Sequence, residues 1–495
     1  MGEGRLSSVK RSVFSNVLCL LPFAFLLILL AFFLFYDQSA HKFEENCTVA
    51  ELVTGIALLG SAVSGFLLYK KNKLNTNTVV VLLFVCGFAL RLAYALRYGY
   101  NVHQHDVEGL SSSGHLSYIY SIATGNGLPT TNDWQFSHPP LHHFLAALSV
   151  KLSYVLGFTN GHAFENIQYL TVLYSSLTML VGYEMLKEFG VKNKNLVFGV
   201  MLLTFHPTFQ VLAGSINNDI LLVLLSMSAV LFLMKWYRAP SLKYAALCGA
   251  FCGLSMMTKV SAALIAAVAA VTVIVKFIAD KELKLSKTIL QTAVFLVLLL
   301  PLGLWHPIRN YILFEQPLGY VAPIPTTSAL YTGDIRIIDR LVLPFSKDSF
   351  GVYVDVWEEY NVWFYTLRNS LFGEYDFGNM GLASLAVFSN LLVILSSLAA
   401  FVYLIVKRRS QPNLLPIAVL FAVQLGFFIY FNIKYPFGCT MDFRYIVPLL
   451  FCGIMFLCGA AERLSECENP ISKWAVFGTN TAVTVLCVTS TLVMF

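Results

Sequence analysis

The chain has 495 residues, of which 57% are hydrophobic and only 12% are charged. Because soluble domains carry about a quarter charged residues, and the mean hydropathy here is +0.70, the composition excludes an ordinary soluble protein and indicates several membrane spans. The formal net charge of +6 does not indicate nucleic acid binding. The Lys and Arg residues lie in short clusters between apolar runs, and there is no basic-aromatic patch.

Apolar runs of about 16–25 residues recur along the chain and predict about thirteen membrane-spanning helices in an all-α protein. The first run, Val13–Phe35, follows Lys10 and Arg11 and is longer than the core of a signal peptide, so we interpret it as a retained span. The predicted spans lie near residues 13–36, 50–69, 78–98, 166–187, 196–213, 217–236, 243–258, 261–279, 287–305, 382–406, 413–432, 445–462 and 474–494.

The basic clusters between these runs predict the orientation of the chain. They precede the first span and follow the even-numbered spans, so that with thirteen spans all of them fall on one face. Because Lys and Arg mark cytoplasmic loops, we expect a cytoplasmic N-terminus. Two long segments, 99–165 and 306–381, then face the extracytoplasmic side, and residues 1–495 form a single membrane domain.

The first of these segments is rich in histidine. It holds seven of the ten His residues, six of them in the stretches HQHDVEGLSSSGHLSYIY and FSHPPLHHFL and the seventh at His162. Apolar positions recur at helical spacing after His115 and from Leu141 to Leu156, which predicts amphipathic helices at the membrane surface. Histidines that sit at the headgroup level are the alternative to a functional cluster, and that alternative accounts for one or two residues better than for seven.

Asp106 lies shortly after the predicted span at 78–98. An ionisable group near the bilayer is costly and tends to be functional, and a carboxylate here could act as a general base or position a metal. Glu108 is the second candidate carboxylate, and a solvated Asp106 paired with a neighbouring Arg is the alternative. A divalent cation bound by His103, His105 and Asp106 is also open, because His-x-His-Asp places hard and borderline ligands close together.

Two further sets of polar residues lie at the same predicted face. Asn217, Asn218 and Asp219 open a span, although Asn and Asp are also good helix N-caps. Three cations stand at helix ends on a face where few are expected. Snorkelling accounts for any one of them, whereas together they suggest a bound anion, for which phosphate is the natural candidate. These cations are Lys259, Arg309 and Arg444.

The order of these features resembles the GT-C superfamily of integral membrane glycosyltransferases over nearly the whole chain. The motifs HDVEG…GHLSYIY, HPPL, INND, LSMMTK and WHPIRNYILFEQPLGY are similar to those of the protein O-mannosyltransferases and the bacterial aminoarabinose and related transferases. The resemblance implies transfer of a sugar, with inversion, from an undecaprenyl- or dolichyl-phosphate sugar to an acceptor glycan, lipid or protein at the extracytoplasmic face. It favours a bacterial plasma membrane.

The resemblance also implies roles for single residues. Asp106 would be the catalytic acidic residue, with Glu108 displaced by one position from the family's Asp-Glu pair. Lys259, Arg309 and Arg444 would bind the donor phosphate. The residues that would contact the acceptor or the leaving group are His115, His138, His142 and Asp219.

Three other functions compete with glycosyl transfer. A transporter or flippase of lipid-linked sugars would place ionisable residues near the bilayer midplane and often shows inverted repeats, whereas here the charges lie at helix ends and no repeat is visible. A ligase or polymerase of surface polysaccharide would share the same face and chemistry. A membrane scaffold leaves the histidine-rich segment unexplained.

Overall fold

The computed structural model describes residues 22–342, 350–407, 411–467 and 469–495. Within these ranges the protein is helical, with one isolated bridge between Tyr331 and Phe437 and no β-strand. The predicted all-α class is therefore confirmed. The first part of the first predicted span and the cations Arg408 and Arg409 lie outside the described residues.

Eighteen α-helices form in the described part of the chain. In chain order they are α1 (Pro22–Phe33), α2 (Phe43–Lys70), α3 (Thr76–Arg97), α4 (His115–Ala123), α5 (Leu141–Val155), α6 (Asn160–Glu188), α7 (Asn193–Phe205), α8 (Thr208–Gly214), α9 (Asp219–Arg238), α10 (Leu242–Met256), α11 (Ala263–Ala279), α12 (Leu285–Phe314), α13 (Ile337–Leu341), α14 (Val362–Phe372), α15 (Met380–Val406), α16 (Leu414–Lys434), α17 (Pro448–Ser465) and α18 (Pro470–Met494).

Ten segments of the described chain are long and apolar enough to cross a membrane, with α7 and α8 counted as one segment. The helices α1 and α10 are apolar but shorter, and α6 is not among the ten. Each of the thirteen predicted runs contains a helix, but the count of thirteen spans is not confirmed.

The bundle has a buried centre and an apolar exterior. The helices α3, α7, α8 and α9 are largely buried, and α6 packs against α3 and α9. By contrast, α2, α11, α12, α15 and α16 expose many large apolar side chains. An apolar exterior of this kind matches contact with lipid, because hydrocarbon tails replace water as the solvent there.

A broken helix crosses the centre of the bundle. Pro207 has no N–H and cannot continue the hydrogen-bond ladder of α7, which ends at Phe205. Two carbonyls of the last turn, those of Leu203 and Thr204, instead accept hydrogen bonds from the fully buried guanidinium of Arg91 at 2.8 and 3.2 Å. Arg91 thereby stabilises the break, and the chain restarts as α8.

The end of α8 holds the segment that follows α3. The carbonyl of Gly214 accepts hydrogen bonds from the side-chain amides of Gln104, at 2.9 Å, and Gln168, at 2.7 Å. The side chain of Gln104 also accepts a hydrogen bond from the backbone N–H of Ile216 at 3.0 Å. The segment around residues 103–106 is therefore tied to the chain that leads into α9.

The predicted helices of the first long segment form as α4 and α5. They pack against each other, and α5 also packs against α6. Ala146 and Val150 face inward on α5, whereas Leu148, Leu152 and Val155 are exposed. The exposed apolar face agrees with an amphipathic helix.

The second long segment begins inside a helix, because α12 continues to Phe314 beyond its predicted end. After α12 the chain is mostly irregular, with the short helices α13 and α14. It is tied to the connection between α16 and α17 by two backbone hydrogen bonds, from Thr332 N–H to Pro436 O at 2.9 Å and from Gly438 N–H to Leu330 O at 2.7 Å. The two connections therefore form one cap over the same end of the bundle.

Candidate active site

Four charged residues from separate elements meet at this end of the bundle. Asp106 lies in the connection after α3, Asp219 is the first residue of α9, Lys259 follows α10, and Arg444 precedes α17. The contacts between these side chains place the C-terminal ends of α3 and α10 beside the N-terminal ends of α9 and α17. The topology thus brings together residues that are far apart in the sequence.

Their side chains form a continuous ion-pair network. Lys259 Nζ lies 2.6 Å from Asp219 Oδ1, and Asp219 Oδ2 lies 3.5 Å from Arg444 Nη1. The same Nη1 atom donates a hydrogen bond to Asp106 Oδ2 at 2.7 Å. Positive and negative charges alternate along this network, and their attraction offsets the cost of burying them. We call Asp106, Arg444, Asp219 and Lys259 the charged network.

Asp106 is held ionised in a left-handed backbone conformation. Burial raises the pKa of its carboxyl, but the charge of Arg444 and smaller contributions from His115 and His105 outweigh burial and lower the pKa to about 2. Its φ is 57°, a region that is costly for a residue with a Cβ. A hydrogen bond from His115 N–H to the Asp106 carbonyl at 3.0 Å helps to hold this turn.

Tyr445 forms an aromatic wall beside the two cations. Lys259 Nζ and the guanidinium carbon of Arg444 each lie 5.2 Å from the centre of its ring, which is within cation–π range. Burial of Arg444 lowers its pKa, but the carboxylates around it, with Asp106 first, raise it well above the ordinary value. Arg444 therefore stays cationic.

A second group of ligand-type side chains adjoins the charged network. His105 Nδ1 lies 3.6 Å from Glu374 Oε2 and 3.9 Å from Asp442 Oδ2. Asp442 Oδ2 is in turn 3.1 Å from Arg444 Nε. Neither Glu374 nor Asp442 is among the site residues that the sequence predicts. For Asp442, the available signal is its position two residues before Arg444, in CTMDFRYIVP.

His103 does not join this group. Its ring stacks between those of Tyr98 and Tyr375, with centroids 4.1 and 4.3 Å away. Its Nδ1 lies 3.2 Å from the hydroxyl of Tyr94. The structure thus separates the two histidines of the His-x-His stretch, one into an aromatic stack and the other beside carboxylates.

The histidines of α4 and α5 form a buried cluster next to Asp106. His115 Nδ1 and His143 Nε2 are 2.9 Å apart, and the ring of His138 stacks at 6.0 Å from that of His115. His142 Nε2 donates to the carbonyl of Ile216 at 2.9 Å. Burial lowers the pKa of His138 to about 3 and that of His142 to about 4, so both are neutral at pH 7.

The remaining candidates lie at the edge of the site or away from it. Glu108 is exposed. Arg309 donates to the Pro129 carbonyl and to Asn310 Oδ1, both at 2.9 Å, and forms no ion pair with the charged network among the described residues. Asn217 does act near the start of α9, where its side-chain oxygen accepts from Asp219 N–H at 3.1 Å.

Fold and site together define a multi-pass membrane protein with a charged centre at one end of its helix bundle. Residues 137–305 match the family profile described as dolichyl-phosphate-mannose-protein mannosyltransferase. This stretch includes Asp219 and Lys259, and the match confirms the predicted resemblance to GT-C membrane glycosyltransferases.

The fold is similar to the crystal structure of ArnT from Cupriavidus metallidurans in the apo state, with 15% sequence identity and a TM-score of 0.48, over 84% of this chain and 75% of that chain. No curated protein sequence matches this one.

Proposed function

We propose that the protein transfers a sugar, with inversion, from a polyprenyl-phosphate donor to an acceptor at the extracytoplasmic face of the membrane. The charged network carries this proposal, because it places an ionised carboxylate against two cations at one end of an apolar bundle. The family match over residues 137–305 supports it. A lipid-phosphate sugar has its chain in the bilayer and its head group at that surface.

The reaction requires an acceptor whose proton can be removed. Its hydroxyl oxygen or amine nitrogen attacks the anomeric carbon, and the bond from that carbon to the phosphate oxygen breaks. The electron pair of the broken bond stays on the phosphate, and the proton of the acceptor passes to Asp106. The products are the glycosylated acceptor and the polyprenyl phosphate. Attack opposite the leaving group inverts the anomeric configuration.

Asp106 is suited to orienting the acceptor. Arg444 holds its Oδ2 atom at 2.7 Å, while Oδ1 accepts no hydrogen bond from the described residues. The low pKa keeps the carboxylate ionised at neutral pH. An oxocarbenium-like transition state raises the acidity of the attacking acceptor, so that a weak base can still receive the proton late in the reaction.

The cations would stabilise the leaving phosphate. Charge develops on its oxygen as the bond to the sugar breaks, and donors already in position are worth more than donors that must reorganise. Arg444 can hold a phosphate oxygen through its planar fork. Lys259, across Asp219, supplies a second positive charge 2.6 Å from that carboxylate. The neutral imidazoles of His115 and His138 are the proposed contacts to the acceptor.

The proposal is tested by mass spectrometry of lipid-linked sugars in a strain that lacks the protein. We expect one polyprenyl-phosphate sugar to accumulate, and the wild-type chain to restore its level, while Asp106→Asn does not. The accumulating species names the donor. No change in any lipid-linked sugar would contradict the proposal and favour a transporter or a scaffold.

A further inference from the structure

We propose that His105, Glu374 and Asp442 form a binding site for one divalent transition-metal ion, of the zinc or manganese class. The site lies against the charged network but shares no residue with it. It also differs from the ligand set that the sequence suggests, because it takes His105 without His103 or Asp106.

The spacing of the three side chains fits an ion between them. His105 Nδ1 is 3.6 Å from Glu374 Oε2 and 3.9 Å from Asp442 Oδ2, and the three ligand atoms lie within 4.8 Å of one another. The His105 distances are too long for hydrogen bonds. Two ligands bound to one tetrahedral ion at about 2.1 Å are roughly 3.4 Å apart, so a small contraction would complete the site.

One of the ligand atoms lacks a hydrogen-bond partner although it is buried. Asp442 is 2% exposed, and its Oδ2 atom accepts no hydrogen bond from the described residues. Arg444 Nε approaches it at 3.1 Å without hydrogen-bond geometry. A buried carboxylate oxygen without a hydrogen bond is costly. Asp442 Oδ2 faces His105. A bound cation would satisfy it.

The neighbouring contacts fix the ligands in the orientation that an ion requires. Tyr365 donates a hydrogen bond to Glu374 Oε1 at 2.7 Å, which leaves Oε2 to face His105. The backbone N–H of Arg444 donates to Asp442 Oδ1 at 2.9 Å, which leaves Oδ2 to face the same way. Hydrogen bonds of this kind commonly orient the side chains that coordinate the ion in metal sites.

The charge of the site also calls for a divalent cation. Four carboxylates lie close together, those of Asp106, Asp219, Glu374 and Asp442, against the two cations Lys259 and Arg444. The excess of two negative charges equals the charge of one divalent ion. In a partly buried site, such an excess is destabilising unless it is neutralised.

The ligand types narrow the choice of metal. One imidazole with two carboxylates suits zinc or manganese, whereas calcium and magnesium prefer oxygen ligands throughout. Three protein ligands leave a position open, and we infer that the donor phosphate occupies it. This last step rests on the proposed function, and it explains how a phosphate is bound where Arg444 and Lys259 are already paired with carboxylates.

The test is metal binding by the purified full-length protein, which needs no knowledge of the sugar. The protein is stripped with a chelator and titrated with Zn²⁺ or Mn²⁺, and bound metal is measured by elemental analysis and calorimetry. We expect about one ion per chain, with affinity at least tenfold lower in His105→Gln and in Asp442→Asn. Tyr365→Phe should weaken binding by about 10–100-fold by releasing Glu374.

His103→Gln is the matched control, since it changes the other histidine of the same stretch. It should keep full metal binding, and a rise in the thermal midpoint on adding metal should occur in this variant but not in His105→Gln. Absence of metal binding in the wild type, or equal loss in both variants, would overturn the site. Binding without sugar transfer would refute the proposed function alone, and chelator-resistant transfer without binding would refute the metal alone.

Discussion

Arg444 donates a hydrogen bond to Asp106 across 2.7 Å, although the two residues are 338 positions apart in the chain. This contact joins the first long connection of the protein to the segment before α17. It pairs the proposed acceptor-binding carboxylate with a proposed phosphate-binding cation. The two proposed functions are therefore coupled, because a phosphate that binds Arg444 also changes the electrostatic environment of Asp106.

Replacing Asp106 with Asn should abolish most of the transfer activity. The variant loses both the proton acceptor and the partner of Arg444, and loss of a general base costs about 10²–10⁴-fold in rate. The measurement is transfer from a defined polyprenyl-phosphate sugar by the purified enzyme. The exposed Asp133 lies in the same long segment, 99–165. It provides the control Asp133→Asn, which should act like the wild type. An active Asp106→Asn enzyme would exclude Asp106 as the base.

The contact between Lys259 and Asp219 should behave as one unit. We expect Lys259→Gln and Asp219→Asn each to lower kcat/KM, because each leaves a buried partner without its charge. The double variant should lose less than the sum of the two, with a coupling energy of about 1–3 kcal/mol, as neighbours in one network show. Strict additivity in this double-mutant cycle would mean that the 2.6 Å ion pair does not matter for turnover.

Gly114 should tolerate no side chain. A Cβ there would collide with the Val107 carbonyl oxygen and lie 2.9 Å from Glu108 Cβ, which would push the turn around Asp106 out of position. Gly114→Ala should therefore reduce transfer by at least tenfold, because small displacements of reacting groups cost about 10²-fold. At Gly109 the space is open, and Gly109→Ala should retain activity. Equal rates in the two variants would contradict this role for the turn.

Arg91→Leu should destabilise the whole bundle. The guanidinium bonds four groups, namely the Ser175 hydroxyl and the carbonyls of Gly87, Leu203 and Thr204. Each buried carbonyl that loses its partner costs about 1–3 kcal/mol, and the break between α7 and α8 loses its support. Thermal denaturation in detergent should show a clear fall in the midpoint. The exposed Arg238 supplies the control, and a similar fall in Arg238→Leu would remove the special role of Arg91.

Acid should destabilise the histidine cluster. Burial lowers the pKa of His142 from 6.5 to about 4, so between these values the unfolded chain binds more protons than the folded one. Stability therefore falls as the pH is lowered from 6.5 to 4, by up to about 1.4 kcal/mol per pH unit for this group. His142→Gln should flatten the fall of the thermal midpoint over this range. An unchanged slope would show that His142 does not contribute to it.

Much of the architecture was accessible from the sequence because burial in lipid imposes a strong pattern. Each predicted apolar run contains a helix, and Pro207 explains why one run divides into α7 and α8. Two helices are ambiguous by these criteria: α10 is apolar but has only 15 residues, and α6 is long but is not among the ten apolar spans of the described chain. Length and hydropathy alone do not decide whether such helices cross the membrane.

The residues of the candidate site could be predicted from the sequence only in part. Asp106, Asp219, Lys259 and Arg444 were identified because charges beside a bilayer are costly and therefore conspicuous in an apolar chain, and the structure brings all four together. Arg309 carries the same signal but binds the Pro129 carbonyl instead. The position of a residue at a helix end predicts how deep it lies relative to the membrane. It does not predict which way the side chain points.

The sequence by itself determined the apolar helical class, the two long polar segments and the charged residues beside the spans, because hydropathy and helix length are local properties. Only the tertiary structure decided which charges pair. In the folded protein Asp106 pairs with Arg444, and Glu374 and Asp442 lie beside His105. His103 lies apart from them, in an aromatic stack. Such pairings depend on helix packing and on how the connections fold over the bundle, which bring together side chains that no local spacing relates.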